Sequence, residues 1–206
     1  MSLFKAKLSR LNSSFFVLPF ILFNVFACSS KNSEENKITE YYDVKGLLDQ
    51  QLLMFEKMEP QLQKVVLLDD ERDSTVLQPD QKSWHSELDA FYNLDLNKKD
   101  LVGQYQTQKG EQEGLSWLKY TAKEPENREV SQLTIYFINQ PNVPSVIEAI
   151  TGKNNQLYGL EKRLFMQFDG NNVENLRLKT YEIGANQKVV LLDSLRVEVR
   201  GHLIYE

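Results

Sequence analysis

The sequence is poor in the residues from which metal sites and nucleophilic sites are most often built. It has one cysteine, Cys28, and two histidines, His85 and His202, among 206 residues. A metal site usually needs several histidine or acidic ligands at helical or hairpin spacing, and neither histidine has a second one close by. We therefore expect both histidines to be ordinary surface or sheet residues, and we predict no metal ion and no cofactor.

Motifs for familiar enzyme chemistry are also missing. No Gly-x-Ser-x-Gly sequence, the mark of a nucleophile elbow, is present. Segment 152–155 (Gly-Lys-Asn-Asn) follows a predicted strand as a phosphate loop would, but it lacks the second glycine and the Lys-Ser/Thr pair. Segment 69–80 has acidic residues at calcium-loop spacing, yet Ser74 stands where the sharp turn needs glycine and Asp80 where glutamate should close the loop. We interpret both segments as hairpin connections, and we predict no catalytic residue.

The first 27 residues have the features of an export signal. Lys5, Lys7 and Arg10 precede an apolar run over residues 15–26, and Ala27 follows it. A secretory signal needs a positive end, an apolar core of about 7–15 residues and a small residue before the cut. Because the run is shorter than the roughly 20 residues of a membrane-spanning helix, we predict that it is cleaved and is not a permanent span.

The cysteine ends this segment, in the sequence Val25-Phe26-Ala27-Cys28. An aliphatic residue three positions before the cysteine and a small one directly before it resemble the lipobox of a bacterial lipoprotein signal peptide. The resemblance implies that the Cys28 sulfur is joined to lipid, that the chain is cut before Cys28, and that the new terminus is acylated. Ser29, where some members have aspartate, implies sorting to the outer membrane. The alternative is an ordinary signal peptide with a chance cysteine nearby.

A polar stretch follows the cysteine, and its composition predicts a flexible tether. Lys31 precedes Glu34 and Glu35 in this stretch. That order is similar to the export tags of Bacteroidota-type lipoproteins, which implies the outer face of the outer membrane. We predict the following organisation of the chain: signal peptide 1–27, lipidated tether 28–37 and a single α+β domain 38–206.

Removal of the signal peptide leaves 179 of the 206 residues, which suits one domain with a proper core. Three positive charges and no negative charge leave with it, so the net charge of −5 becomes −8. An acidic surface argues against binding to nucleic acid and against electrostatic adhesion to anionic lipid. We expect no nucleic-acid partner.

Helical patterns open the predicted domain. Apolar residues recur every three or four positions over 44–58, which predicts a helix with Asp43 as its N-cap. The same spacing predicts a second helix from about 79 to 94. Between the two helices, segments 65–68 and 75–77 predict a small β-hairpin with a charged turn.

From residue 101 onward, alternating apolar residues and turn residues predict an antiparallel β-meander. Asp169-Gly170 and segment 182–186 are predicted hairpin turns. The fold class we predict is α+β: two N-terminal helices with a small β-hairpin, packed on a long meander that forms a curled sheet or half-barrel. The predicted strands are 103–108, 114–123, 131–139, 145–151, 156–168, 174–183, 187–192 and 195–205.

One heptapeptide, Gln-Lys-Val-Val-Leu-Leu-Asp, occurs at both 63–69 and 187–193. The flanks of the two copies do not match, as they would in a duplicated module. We interpret the copies as two similar strands and leave open whether they are neighbours in one sheet.

Three functions are compatible with these features. The leading hypothesis is a membrane-tethered, non-catalytic envelope lipoprotein, a binding or scaffold module that acts through a face or edge of its sheet. The first alternative is a carrier of lipid or another apolar ligand, similar only in fold to outer-membrane lipoprotein carriers, which requires a large apolar pocket. The second alternative is an uncharacterised envelope hydrolase, in which His85 or His202 meets a carboxylate and a hydroxyl in a cleft.

The expected partners and location follow from the same hypotheses. The membrane is the first partner, through a lipid anchor at Cys28. Another envelope protein or an apolar ligand is the second. The expected location is the outer membrane, lipid-anchored, with the domain facing the periplasm or the surface.

Overall fold

The structure, a computed structural model, describes residues 39–205 apart from positions 70, 113, 139–142, 156 and 191–192. Cys28, the predicted signal peptide and the predicted tether therefore lie outside the described residues. The described chain is an α+β fold with two α-helices and one antiparallel sheet of nine strands. The predicted fold class is confirmed at this level.

Helix α1 spans Val44–Met58 and helix α2 spans Gln81–Tyr92. An aspartate caps each helix: Asp43 accepts a hydrogen bond from the backbone N of Gly46 and Asp80 from that of Ser83, both at 2.8 Å. These bonds satisfy amide groups that have no partner within the first helical turn. Helix α2 starts two residues later and ends two residues earlier than predicted.

The strands are joined mostly by short hairpins, as the turn residues predicted. A short 3₁₀ turn, Pro125–Asn127, connects the fourth and fifth strands. The strands are β1 Gln61–Leu68, β2 Glu71–Leu77, β3 Tyr105–Gln112, β4 Leu115–Ala122, β5 Val130–Ile138, β6 Pro144–Asn154, β7 Tyr158–Asp169, β8 Arg177–Val189 and β9 Leu195–Ile204.

The order of strands in the sheet is β2-β1-β9-β8-β7-β6-β5-β4-β3. Strands β3 to β9 form the predicted meander, and the last strand pairs with β1 of the N-terminal hairpin. Helix α2 lies in the connection that takes the chain from one edge of the sheet to the other. The edge strands β2 and β3 are not paired with each other, so the sheet is not closed.

Two predicted strands, 174–183 and 187–192, are replaced by one continuous strand, β8, and the predicted hairpin at 182–186 is wrong. Its small and polar residues are typical of a turn, but Gly184, Ala185 and Asn186 pair with β7 on one side and β9 on the other. Pairing on both sides satisfies their backbone groups in an extended conformation, which outweighs the local turn preference.

The two copies of the heptapeptide are not neighbours. The copy at 63–69 supplies most of β1, whereas the copy at 187–193 begins at the end of β8 and enters the turn before β9. Strand β9 lies between β1 and β8. The same sequence thus serves as a strand in one place and as a strand end in the other.

One face of the sheet, which we call the helix-covered face, packs against both helices and holds the core. Phe91 of α2 meets the ring of Tyr181 of β8 edge to face, with centroids 6.0 Å apart. Gln51 holds helix α1 to the sheet. Its side chain donates to Leu176 O at 2.9 Å and accepts from Leu178 N at 2.8 Å. Fully buried residues of this core include Leu48, Leu62, Leu88, Phe91, Leu133, Ile135, Met166, Leu178 and Tyr181.

Candidate binding site on the helix-free face

The opposite face, the helix-free face, contains a depression of about 840 Å³. Strands β5 to β9 line it, and the register of the sheet explains its composition. One row of cross-strand neighbours runs through Glu148, Phe165, Glu182 and Arg200. The next row runs through Gln132, Ile150, Arg163, Gly184 and Glu198. Because side chains alternate between faces along a strand, all of these residues point away from the helices.

The lining of the depression is charged with both signs. It includes three arginines and three glutamates: Arg163, Arg196, Arg200, Glu148, Glu182 and Glu198. Within β9, Arg200 Nε donates to Glu198 Oε1 at 2.6 Å. Between β5 and β6, the Tyr136 hydroxyl donates to Glu148 Oε2 at 3.3 Å. Burial, together with the Glu148 carboxylate, raises the pKa of Tyr136, so this hydroxyl stays a neutral donor.

Two of these six charged side chains have no ion-pair partner among the described residues. Arg196 and Glu182 form no ion pair with another described residue, and both side chains are exposed. Only the backbone of Arg196 is engaged, because its N–H donates to Asp69 Oδ1 at 3.0 Å. The depression therefore presents a free guanidinium and a free carboxylate, which bind a partner of mixed charge better than an apolar one.

Gly184 is one of the residues that line the depression. A Cβ atom at this position would meet nothing closer than the backbone oxygen of Arg163, at 4.0 Å. The glycine is therefore not required by packing inside the domain. Its missing side chain leaves space in the depression, because a larger residue in the same row would project into it.

Neither histidine is among the residues that line this depression, and the two lie on different elements. His85 is exposed on α2, where its ring stacks on Tyr92 with centroids 5.5 Å apart and planes at 21°. His202 is exposed on β9, opposite Thr180 of β8 and Gln63 of β1. Neither ring forms an ion pair or hydrogen bond with another described residue. Within the described ranges, no group of three or more histidine, cysteine or acidic side chains is placed to hold a metal ion.

The two loop-like motifs have structural explanations. Strand β6 continues through Gly152 to Asn154, and a Cβ at Gly152 would lie 2.5 Å from the backbone oxygen of Leu160. Close approach of the neighbouring strand therefore explains this glycine without a phosphate. Residues of the acidic segment 69–80 form the β1–β2 turn and strand β2, with Asp69 in a left-handed conformation (φ 51°). The prediction of a hairpin connection at 152–155 is wrong for Gly152 to Asn154, which belong to β6, and the turn predicted within segment 69–80 is confined to the short β1–β2 connection that begins at Asp69.

Sequence reasoning did not find the depression. The alternation of Arg196, Glu198 and Arg200 with apolar residues on β9 does indicate a strand with one wet face. This alternation can be read from the sequence, but it does not show which charged residues of other strands lie next to those of β9. The order β9-β8-β7-β6 brings them together, and this order comes from the fold.

Comparison with known proteins gives no relative: no protein-family model, no curated protein and no solved structure matches the chain. Among the described residues, no helix is long and apolar enough to cross a membrane. The function of the chain must therefore be argued from its own residues.

Proposed function

We propose that the chain is a non-catalytic envelope lipoprotein, anchored to the outer membrane at Cys28, whose domain binds another envelope component through the helix-free face of its sheet. The anchor rests on the sequence Val25-Phe26-Ala27-Cys28 and its basic and apolar flanks. The binding role rests on one observation, the depression of about 840 Å³ with six charged side chains. We further propose that the sheet is curled around this face, as the depression across five strands suggests.

The two faces of the sheet differ in a way that favours binding over transport of an apolar ligand. On the helix-covered face, Leu48, Leu88 and Phe91 of the helices have no exposed surface. The depression of about 440 Å³ beside the two helices is open to solvent, and its lining mixes Leu52, Phe55 and Trp84 with polar and charged side chains, so it is not an enclosed apolar pocket. On the helix-free face, the arginines and glutamates would have to lose water against an apolar ligand, which is costly. The carrier hypothesis has no support from these observations.

The hydrolase hypothesis also lacks support. It requires His85 or His202 in a cleft with a carboxylate and a hydroxyl. In the described chain both histidines are exposed and lie outside the depression.

The proposal can be tested by filling the depression. Gly184→Leu would project an apolar side chain into the depression, and the Cβ atom of the new residue would meet nothing closer than 4.0 Å. We expect the lipidated wild-type protein to capture a specific component from native outer membranes by crosslinking and mass spectrometry. Gly184→Leu should lose that component because its binding surface is filled.

The matched control is Gln108→Leu. Gln108 is exposed on the edge strand β3 and lies outside the residues that line the depression. The Gln108→Leu variant places a leucine on the sheet without filling the depression. It should therefore capture the component to the same extent as the wild-type protein. Equal capture by all three proteins would remove the depression as the binding site. Loss of capture by both variants would indicate that the substitutions disturb folding. The three proteins are therefore first shown to have the same urea unfolding curve.

A further inference from the structure

The two ends of the sheet are distinct, because each strand is antiparallel to its neighbours. The connections β1–β2, β4–β5, β6–β7 and β8–β9 all lie at one end, which we call the tether end. The connections β3–β4, β5–β6 and β7–β8 lie at the other end, the far end. Strand β7 has 12 residues, so the two ends are about 40 Å apart.

The described chain begins at the tether end. The carboxylate of Glu40 accepts from the backbone N of Gly103 at 3.1 Å, and Gly103 lies just before β3. The Tyr41 hydroxyl accepts from Tyr105 N at 3.4 Å, at the first residue of β3. The ring of Tyr41 also lies against Tyr120 of β4, with centroids 5.3 Å apart. Thr39 and Glu40 are therefore held where β3 starts, and the preceding chain must leave from this end.

The chain between Cys28 and Thr39 limits how the domain can face a membrane. The 11 residue-to-residue steps from Cys28 to Thr39 span at most about 40 Å when fully extended, and a coil of this length averages about 17 to 20 Å. Only a fully extended chain laid along the whole sheet would bring the far end to a bilayer that holds Cys28. The tether end lies well within reach.

The tether end also carries an exposed apolar pair. Leu157 and Val190 are neighbours across the ends of β7 and β8, where Val190 N donates to Leu157 O at 3.0 Å. Their side chains are 69% and 49% exposed. Leu68 and Leu195 are exposed at the same end, at the β1–β2 and β8–β9 connections. Apolar side chains held at a hairpin end can enter the boundary between headgroups and acyl chains.

We propose that the tether end of the sheet lies on the bilayer surface, with Leu157 and Val190 in contact with lipid. This inference rests on the proposed anchor at Cys28. The net charge of −8 expected after cleavage makes zwitterionic lipid the matching surface, because anionic lipid would repel the domain. The depression then lies between the two ends, on a face that stands upright from the membrane and is open to a partner.

The test uses the lipidated full-length protein in vesicles of phosphatidylcholine and phosphatidylethanolamine. Cys28 is the only cysteine, and in the lipidated protein its sulfur is occupied, so a new cysteine can be labelled alone. Leu157→Cys reports on the tether end. Val173→Cys is the matched control, since Val173 is an exposed apolar residue (50%) in the β7–β8 connection at the far end. Both carry an environment-sensitive fluorophore.

On transfer from detergent to vesicles, the label at 157 should shift its emission to the blue and lose most of its quenching by iodide. The label at 173 should keep its aqueous spectrum and its quenching. Protection at both positions, at neither, or at 173 alone would overturn the proposed orientation. Mass spectrometry of Cys28 tests the anchor separately.

A second arm separates the orientation from the anchor. In a Cys28→Ser protein, a polyhistidine tag replaces residues 1–27 and binds nickel-chelating lipid in the same vesicles. The chain from 28 onward is then held to the membrane without acylation. We expect the same protection at 157 and none at 173, and a label at 157 that stays in water would overturn the contact even if Cys28 proves to be lipidated.

Discussion

The ring of Tyr181 on β8 occupies the space that a side chain at Gly201 on β9 would need. The two residues are direct cross-strand neighbours on the helix-covered face, and a Cβ atom at Gly201 would overlap the ring. Tyr181 is fully buried, and its hydroxyl donates to Glu87 Oε2 of α2 at 2.7 Å. The glycine thus lets an aromatic ring lie flat between the sheet and the second helix.

Gly201→Ala should therefore destabilise the domain. The added methyl group forces the Tyr181 ring away from its position, and overpacking of this kind costs about 1–3 kcal/mol. Urea unfolding followed by circular dichroism measures the change in free energy of unfolding. Gly184→Ala on β8 is the control, since its Cβ has open space and the change should stay within about 0.5 kcal/mol. Equal effects of the two substitutions would contradict the explanation.

Lys64 and Glu87 form the ion pair that joins β1 to α2. Lys64 Nζ lies 2.7 and 2.8 Å from the two carboxylate oxygens of Glu87, and the two side chains are only 23% and 17% exposed. Lys64→Met leaves this carboxylate largely buried with Tyr181 as its remaining partner. We expect a loss of about 1–3 kcal/mol in the free energy of unfolding.

The control for this ion pair is Lys45→Met on α1. Lys45 and Asp49 are 3.1 Å apart, but their side chains are 56% and 48% exposed. A solvated pair contributes about 0–1 kcal/mol, so this variant should unfold close to wild type. If Lys45→Met costs as much as Lys64→Met, burial does not explain the difference between the pairs.

Gln51 should be essential for the attachment of α1 to the sheet. Its side chain is buried and bonds both Leu176 O and Leu178 N at the start of β8. Gln51→Leu leaves these two backbone groups without a partner, which should cost about 2–3 kcal/mol. Gln50→Leu, at the adjacent exposed position, should have little effect. Hydrogen exchange at the Leu178 amide adds a local readout, and unchanged protection there in Gln51→Leu would contradict the assigned contact.

The domain should lose stability as the pH rises above about 10, the ordinary pKa of tyrosine. Burial raises the pKa of Tyr105 to about 12, and burial together with the Glu87 carboxylate raises the pKa of Tyr181 further. The unfolded chain releases these protons first, so their contribution to stability is complete below pH 10 and is lost as the pH climbs toward the folded values. Tyrosinate absorbance of the buried rings should appear together with unfolding by circular dichroism. If all tyrosines ionise near pH 10 while the protein stays folded, the raised pKa values of Tyr105 and Tyr181 are refuted.

Sequence patterns predicted the fold to the level of its elements, because most local preferences agree with the final packing. Asp43 caps α1 as predicted, and the alternation on β9 reports its two faces correctly. The hairpin predicted at 182–186 was wrong because Gly184 and its neighbours favour a turn locally, while pairing with β7 and β9 holds them extended. The site could not be predicted for a related reason. Arg163, Glu182 and Arg200 come from three strands and meet only through the sheet order.

Glu182 and Arg200 allow a test of charge recognition in the depression. They are cross-strand neighbours on β8 and β9, and both side chains are exposed. The double variant Glu182→Arg/Arg200→Glu keeps the net charge and the neighbouring pair but reverses the order of charges. Both positions face solvent, but Arg200→Glu also removes the contact between Arg200 and Glu198, so stability should fall by up to about 1 kcal/mol. Capture of the partner from native outer membranes should fall sharply, since reversed charges meet like charges on the partner.

The corresponding swap on the other side of the domain, Lys45→Asp/Asp49→Lys, serves as the control because this pair lies on α1, away from the depression. It should leave capture unchanged. Salt adds a second readout: capture by wild type should weaken as ionic strength rises, because exposed charges are screened. Unchanged capture by Glu182→Arg/Arg200→Glu, with folding intact, would show that the charges lining the depression do not select the partner.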